Sequence, residues 1–135
     1  MIAALPLMLL PLVLYNAAMI GLFGGGGIAG LQQTVFSVNM LSGAVWSLSI
    51  GDAILLFGFV LLFIEILKAT RNSSGSLINH MLSLVVFVAF LVEFLAVRDA
   101  ATQLFFFLMA LAFIDVIGGF AVSVRSASRD VSIGL

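Results

Sequence analysis

The chain has 135 residues, of which 64% are hydrophobic and only 8% are charged, with six acidic residues, five basic residues and one histidine. This composition excludes an ordinary soluble domain, in which about a quarter of the residues are charged. The absence of cysteine excludes disulfides and thiol chemistry, and the near-neutral charge without a basic tract argues against a nucleic-acid partner. We therefore expect an integral membrane protein whose main contact is the lipid bilayer.

Four apolar segments are long enough, or nearly so, to cross a bilayer as helices. A hydrocarbon core about 30 Å thick requires about 20 apolar helical residues. The predicted spans cover residues 2–23, 51–68, 77–97 and 102–124. Because little chain remains between them, we expect one membrane domain over residues 1–135. Its predicted fold is all-α, an antiparallel four-helix transmembrane bundle with short loops and one small extracytoplasmic hairpin.

The first segment is predicted to be a retained span rather than a cleaved signal peptide. It has no Lys or Arg before its apolar core, and that core is longer than a signal peptide requires. Pro6 is tolerated near the helix start, where its missing N–H is not needed. Pro11 lies deeper in the segment, so we expect it to kink or loosen this helix.

Residues 34–50 are predicted to form the extracytoplasmic β-hairpin between the first two helices. After the glycine run at residues 24–27, apolar and polar residues alternate with a period of two. The alternating apolar residues are Phe36, Val38 and Met40 before a turn at residues 41–44, and Trp46, Leu48 and Ile50 after it. Such alternation around a turn containing glycine is typical of a hairpin. An exposed strand edge can pair with another chain, so this hairpin is the predicted interaction element.

An interfacial amphipathic helix is the alternative for residues 31–50. Apolar residues in this stretch also fit one face of a helix, and such helices lie on membrane surfaces. The residues that share that face are Leu31, Val35, Val38 and Val45.

The basic residues predict the orientation, because short cytoplasmic loops carry an excess of Lys and Arg. Four of them fall on one side of a four-span topology: Lys68, Arg71, Arg125 and Arg129. The fifth, Arg98, lies on the opposite side beside Asp99. We therefore expect both termini in the cytoplasm and residues 24–50 outside.

Five polar residues are predicted to lie within the spans, where ionisable groups are costly and are treated as functional candidates. They are Asp115, Glu65, His80, Glu93 and Asn16. One hypothesis is a proton or cation path, with Asp115, Glu65 and His80 on the inner side and Asn16 and Glu93 toward the outside. The other is that these groups form interhelical hydrogen bonds and ion pairs, with Lys68 as the partner of Glu65 and Arg98 as the partner of Glu93.

Small residues predict where the helices approach each other closely. In the fourth span they are Ala112, Gly118 and Gly119, and in the second span they are Gly51 and Gly58. The three small residues of the fourth span share a helical face with Asp115, and the two glycines of the second span lie on the same helical face as Glu65. We therefore expect Asp115 to face a helix–helix interface, and bulky residues at Gly118 or Gly119 to disrupt an oligomer.

Motifs for catalysis, cofactors and metals are missing from the sequence. One histidine cannot ligate haem from both sides within one chain, and no cluster of metal ligands occurs at helical spacing. Ser83 lies three residues after His80, but an isolated pair of this kind usually reflects packing. The glycine run lacks the Lys and Ser or Thr of a phosphate-binding loop. We therefore expect no enzymatic activity, no cofactor and no metal.

Two stretches carry a resemblance to a known group of proteins. They are LFIEILKATR at residues 62–71 and FIDVIGGF at residues 113–120. The chain resembles small, uncharacterised four-span inner-membrane proteins of proteobacteria, which implies a location in the bacterial inner membrane but no activity. We therefore expect a non-catalytic membrane protein that acts by assembly, either as a homo-oligomer or as an accessory subunit of a larger complex. The alternative is a proton- or cation-coupled channel or transporter that uses the intramembrane carboxylates.

Overall fold

The computed structural model describes residues 5–70 and 74–133, which form four helices and one two-stranded sheet. The helices are α1 (Leu9–Met19), α2 (Ile50–Ala69), α3 (Ser74–Ala96) and α4 (Gln103–Ile133). The strands are β1 (Thr34–Asn39) and β2 (Val45–Ser49), and they lie between α1 and α2. Short 3₁₀ segments at Ile28–Gln32 and Arg98–Ala100 precede β1 and α4. This confirms the predicted, mostly helical fold with one hairpin.

Three helices in the described part of the chain are long and apolar enough to cross a membrane. Their apolar stretches are Ile50–Ala69, Leu77–Ala96 and Gln103–Val122, each of 20 residues. At 1.5 Å per residue, each stretch is about 30 Å long, which equals the thickness of a hydrocarbon core. These stretches match the predicted second, third and fourth spans closely. The helix α4 continues beyond its apolar stretch to Ile133, past the predicted end at residue 124.

The helix α1 is shorter than the predicted first span, residues 2–23. It has 11 residues, which extend about 16 Å, while residues 2–4 lie outside the described part of the chain. Gly21 adopts a φ of +86°, and a glycine in this left-handed conformation commonly ends a helix. Pro11 is the third residue of α1, where its missing N–H has no acceptor within the helix. It therefore does not interrupt α1, contrary to the predicted kink.

The helices alternate in direction, as side-chain neighbours show. Between α1 and α2, Leu7 is next to Glu65, and Pro11 is next to Gly58. Between α3 and α4, Phe94 is next to Phe105, and Phe87 is next to Phe113. Between α2 and α4, Gly51 is next to Leu104, and Ile66 is next to Gly118. Residue numbers run in opposite directions across the first two helix pairs and in the same direction across the third. The four helices therefore run up, down, up and down, as predicted, and α4 packs against both α2 and α3.

The apolar core lies in the middle of the bundle. Its central side chains are Tyr15, Phe90, Phe105 and Leu108, all fully buried. The ring of Tyr15 meets the ring of Phe105 edge to face, with 4.9 Å between the ring centroids. Aromatic pairs in this geometry add about 0.5–1.5 kcal/mol to the stabilisation from burial. These rings thus join α1 to the junction of α3 and α4.

The hairpin has the predicted alternation, and its turn requires a glycine. In the register of the two strands, Phe36 pairs with Leu48 and Val38 pairs with Trp46. Gly43 adopts a φ of +89° in the turn, a conformation that favours glycine. The alternative of an interfacial helix is therefore wrong for the residues of both strands. Ile50, predicted as the last hairpin residue, is instead the first residue of α2.

The second strand continues directly into α2 through one residue with two roles. Ser49 ends β2 and is also the N-cap of α2. Its hydroxyl accepts a hydrogen bond from the Asp52 N–H at 3.1 Å, and the Asp52 carboxylate accepts one from the Ser49 N–H at 3.0 Å. This reciprocal capping box satisfies two donors at the start of the helix. It fixes the direction in which the hairpin leaves the bundle.

Replacing Ser49 with alanine is expected to lower the free energy of unfolding by about 1 kcal/mol, the typical cost of losing an N-cap. Titration of the purified protein from mild detergent into SDS, followed by circular dichroism, measures this change. Ser49→Thr retains the hydroxyl and is the matched control. Equal losses for both variants would contradict the capping role.

Candidate functional sites

A buried polar cluster joins α2, α3 and α4 at the end of the bundle opposite the hairpin. We call it the carboxylate cluster, and its members are Glu65, Asn79, Ser83 and Asp115. Their exposed fractions are 3%, 8%, 3% and 3%, and within the described part of the chain no other polar or charged residue is buried to this extent. Two predicted site residues, on different helices, are therefore brought together.

Glu65 is the most connected member of the carboxylate cluster. Its Oε1 accepts hydrogen bonds from the Leu7 N–H at 2.8 Å and from Lys68 Nζ at 3.0 Å. Its Oε2 accepts a longer hydrogen bond from Asn79 Nδ2, at 3.4 Å. Lys68 Nζ also donates to the Leu5 carbonyl at 3.2 Å. One carboxylate thus connects α2, α3 and the chain that precedes α1, and Lys68 is the predicted partner.

Asp115 is less well satisfied than Glu65. Ser83 forms a side-chain hydrogen bond with it, and the Glu65 carboxylate is close enough to repel its negative charge. Its Oδ2 is buried and has no hydrogen-bond partner among the described residues, and the same holds for Oδ1 of Asn79. A buried polar atom left without a partner costs about 1–3 kcal/mol. The cluster therefore contains two oxygen acceptors that no protein donor satisfies.

His80 lies beside the carboxylate cluster, against a glycine of α4. A Cβ built on Gly119 would lie 2.9 Å from Cε1 of His80 and 3.8 Å from Cβ of Ala69. Gly119 is four residues after Asp115, which is about one helical turn. The glycine thus provides room for the imidazole between α3 and α4. In the described residues, no group of three or more His, Asp or Glu side chains is arranged to hold a metal ion.

The small residues singled out in the sequence differ in how closely they are packed. Gly51 and Gly58 lie against leucines of α4, and a Cβ on Gly58 would be 2.9 Å from Cδ1 of Leu111. Ala112 is 1% exposed. A Cβ on Gly118 would meet only Ile66, at 3.9 Å. Each of these positions therefore has a packing neighbour within the chain, and the predicted effect of bulky residues at Gly118 or Gly119 on an oligomer stays a prediction.

Replacing Gly58 and Gly118 separately with alanine is expected to change stability in opposite directions. Each substitution favours the helix, by up to about 1 kcal/mol. The new methyl group at Gly58 would overlap Leu111, which is 3% exposed and cannot move away freely, and such overpacking costs about 1–3 kcal/mol. Gly118→Ala should therefore raise the free energy of unfolding, and Gly58→Ala should lower it. If an SDS titration showed that both variants change the free energy of unfolding in the same direction, the result would contradict this packing.

A second polar cluster lies at the hairpin end of the bundle. The hydroxyl of Tyr15 donates to the carbonyl of Asp99 at 2.6 Å and lies 2.7 Å from Oγ1 of Thr102. Asn16 donates through Nδ2 to Oε2 of Glu93 at 3.1 Å. Tyr15 was not among the predicted site residues, although a tyrosine within an apolar helix usually needs a partner for its hydroxyl. These bonds join α1 to α3 and to the start of α4.

The predicted ion pair between Glu93 and Arg98 is not formed. Within the described residues, Lys68 and Glu65 make the one ion pair with a nitrogen–oxygen distance of 4.0 Å or less. Glu93 instead binds the amide of Asn16. The chain leaves α3 at Val97 in an extended conformation, so Arg98 does not continue the helical face that carries Glu93.

An apolar layer separates the two polar clusters. Asp115 on α4 lies thirteen residues after Thr102, which immediately precedes α4, and this separation is about 20 Å at 1.5 Å per residue. The buried side chains in this interval include Phe90, Phe105 and Leu108, each with an exposed fraction of 0%. In the described residues of a single chain, the predicted inner and outer groups therefore do not form one continuous polar path.

The hairpin presents an apolar face that nothing in the described chain covers. The exposed fractions of Phe36, Val38 and Trp46 are 46%, 45% and 46%, and that of Met40 is 42%. The rings of Phe36 and Trp46 meet edge to face, with 5.7 Å between the centroids. Leu48 is on the same face and is partly buried. The sheet contains two strands, so each strand has one unpaired edge.

A cavity of about 430 Å³ lies near the base of the hairpin, between the starts of α2 and α4. Its wall includes Leu31, Leu55 and Phe107, with the polar residues Asp52 and Gln103 among them. The capping box uses Asp52, so this carboxylate already has a structural partner. The cavity therefore brings together no set of groups that is suited to a particular reaction.

Comparison with known proteins yields no match to a family model, to a curated protein or to a solved structure. Functional inference for this chain therefore depends on its own geometry. That geometry provides hydrogen bonds and close helix packing at the two polar clusters, and an exposed apolar face at the hairpin.

Proposed function

We propose that this protein is a non-catalytic integral membrane protein that acts by assembly, and that its hairpin binds a second copy of the same chain. The observation that carries the proposal is the rigidly attached hairpin with an uncovered apolar face and two unpaired edges. An accessory role in a complex of different proteins is the competing outcome. The lack of a continuous polar path within the described residues makes coupled transport by a single chain the weaker candidate.

Insertion into a membrane is supported by the outward faces of the helices. The apolar stretch of α3 has only 22% of its residues buried within the chain, so most of its apolar side chains point outward. Examples are Leu84, Val88 and Val92, with exposed fractions of 50%, 46% and 57%. Exposing this much apolar area to water would be costly. The distribution of Lys and Arg supports cytoplasmic termini, and the bacterial inner membrane is the proposed location.

The hairpin is held in place before it meets a partner. The N–H of Ile50 donates to the carbonyl of Gln33 at 2.9 Å, and the side-chain amide of Gln33 donates to the carbonyl of Phe23 at 2.9 Å. The capping box at Ser49 anchors the other strand to α2. A binding element that is ordered in advance loses less conformational entropy on association. The attachment therefore supports a role in binding rather than that of a passive loop.

The unpaired strand edges are suited to pairing with a second copy of the chain because of their residue composition. The first charged residue of the chain is Asp52, so neither strand has a charge that would discourage edge pairing. Equivalent edges can pair antiparallel around a two-fold axis, which places the same surface on both sides of the contact. Two hairpins would then form one four-stranded sheet, which is more stable than an isolated two-stranded hairpin.

Purification from native membranes in mild detergent, followed by determination of the particle mass and its protein content, tests the proposal. The expected result is a particle whose protein mass is a multiple of 14.3 kDa, with this chain as its one protein component. A stoichiometric complex with different proteins would replace self-assembly with an accessory role. A monomer that remains monomeric when reconstituted in lipid would overturn assembly altogether.

A further inference from the structure

We infer that the carboxylate cluster is a binding site for one small monovalent cation, with sodium as the expected ion. The inference does not depend on assembly through the hairpin, because the two features lie at opposite ends of the bundle. It rests on three observations: the burial of the cluster, its unsatisfied oxygen atoms and its charge.

The four members of the cluster lie on three helices of the bundle, with Glu65 on α2, Asn79 and Ser83 on α3 and Asp115 on α4. Asn79 contacts Glu65, with 3.4 Å between Nδ2 and Oε2, and Ser83 hydrogen-bonds to Asp115. Asn79 and Ser83 lie four residues apart on α3, so their side chains share one helical face. The charges of Glu65 and Asp115 also interact. These interactions link Glu65 with Asn79 and with Asp115, and Asp115 with Ser83.

Two oxygen atoms of the carboxylate cluster indicate which kind of partner would satisfy it. Oδ1 of Asn79 is purely an acceptor, and Oδ2 of Asp115 is also an acceptor when the carboxylate is ionised. Both atoms are buried without a hydrogen-bond partner among the described residues, and the residues that carry them are 8% and 3% exposed. Only a donor or a cation satisfies two acceptors. Buried acceptors left unsatisfied are costly, so occupancy of this position would stabilise the fold.

The charge and chemistry of the cluster select the ion. Among the described residues, Lys68 pairs with Glu65 at 3.0 Å, and Asp115 is the carboxylate of the cluster that has no such ion pair. One monovalent cation would balance the charge of an ionised Asp115, whereas a divalent cation would leave an excess positive charge. The available ligands are carboxylate, amide and hydroxyl oxygens, which are hard donors suited to alkali and alkaline-earth ions rather than to transition metals.

Thermal unfolding of the purified protein, in sodium chloride and in choline chloride of equal ionic strength and at one pH, tests the site. A ligand that binds the folded state raises the unfolding temperature as its concentration rises. We expect sodium to raise the unfolding temperature of the natural chain, potassium to raise it less and choline not to raise it. Equilibrium dialysis with radioactive sodium should give one ion bound per chain. An unfolding temperature independent of sodium, or no bound sodium, would overturn the inference.

Asp115→Asn separates loss of the site from loss of the fold. The substitution removes the unbalanced charge and keeps the size of the side chain, so the variant should unfold in choline at the same temperature as the natural chain or higher. Its sodium affinity should fall at least about tenfold, and the sodium-dependent shift should vanish. Glu93→Gln, in the other polar cluster, is the matched control and should retain the full shift. A sodium response in Asp115→Asn equal to that of the control would contradict the site.

Discussion

Replacing Ser37 and Ser47 together with proline is expected to convert the assembled particle into single chains. The N–H of Met40 donates to the carbonyl of Ala44 at 2.7 Å, so Met40 and Ala44 form a hydrogen-bonded pair of the hairpin. Because such pairs alternate with non-hydrogen-bonded pairs along an antiparallel ladder, the pair Ser37 and Ser47 directs its N–H groups outward. Proline removes these outward donors, which an edge-to-edge contact requires.

The same substitutions should leave the hairpin itself intact, because no hydrogen bond between β1 and β2 depends on these two N–H groups. Particle mass in mild detergent, measured by light scattering, gives the result. The double variant Ser37→Ala and Ser47→Ala is the matched control, since alanine retains both N–H groups, and it should assemble like the natural chain. Assembly that survives the prolines would show that the chains do not pair through the strand edges.

Replacing Glu65 with alanine is expected to lower the free energy of unfolding by about 1–3 kcal/mol, the usual cost of leaving a buried donor without its acceptor. The substitution would leave Lys68, the Leu7 N–H and the Asn79 amide without their shared acceptor. It would also release the chain before α1 from α2. We expect α1 to separate first, since α1 is the shortest helix and its start is held by this carboxylate.

Glu65→Gln is the control for this experiment, because its side-chain oxygen can still accept from the Leu7 N–H. Glu65→Gln should lower the free energy of unfolding clearly less than Glu65→Ala does when both are measured in the same SDS titration. Cysteines introduced at Leu7 and Leu61, one on each side of the contact, can be spin-labelled to follow the distance between α1 and α2. A loss below about 1 kcal/mol for Glu65→Ala would mean that the carboxylate only adjusts helix register, as weak interhelical bonds do.

The second, third and fourth helices could be predicted closely because length and apolar composition decide them. A segment of 20 apolar residues has few alternatives to a helix, since every backbone polar group must be paired without water. The hairpin was also predictable, because alternation at Phe36, Val38 and Trp46 has a period of two and Gly43 permits the turn. The first helix was not, because its apolar run does not reveal that Gly21 ends it after Met19.

Some members of the candidate sites could be predicted from the sequence, but the full sets and most of the partners could not. Glu65 and Asp115 stand out in the sequence as polar groups in apolar helices, and Lys68 follows Glu65 at helical spacing. That Asn79 and Ser83 complete the cluster depends on how α3 is rotated against α2 and α4. The pairing of Glu93 with Asn16 rather than with Arg98 depends on the path of the chain after Val97, which no local pattern reveals.

The sequence by itself determined the second, third and fourth helices, the hairpin and the absence of charge before Asp52, because these features follow from local composition and periodicity. Only the tertiary structure decided that the polar residues divide into two clusters with an apolar layer between them. It also decided that Gly58 and Gly119 are used inside one chain and that the hairpin face remains uncovered. The physical reason is that helical periodicity defines a face of each helix, whereas the neighbour of that face depends on packing among residues far apart in the chain.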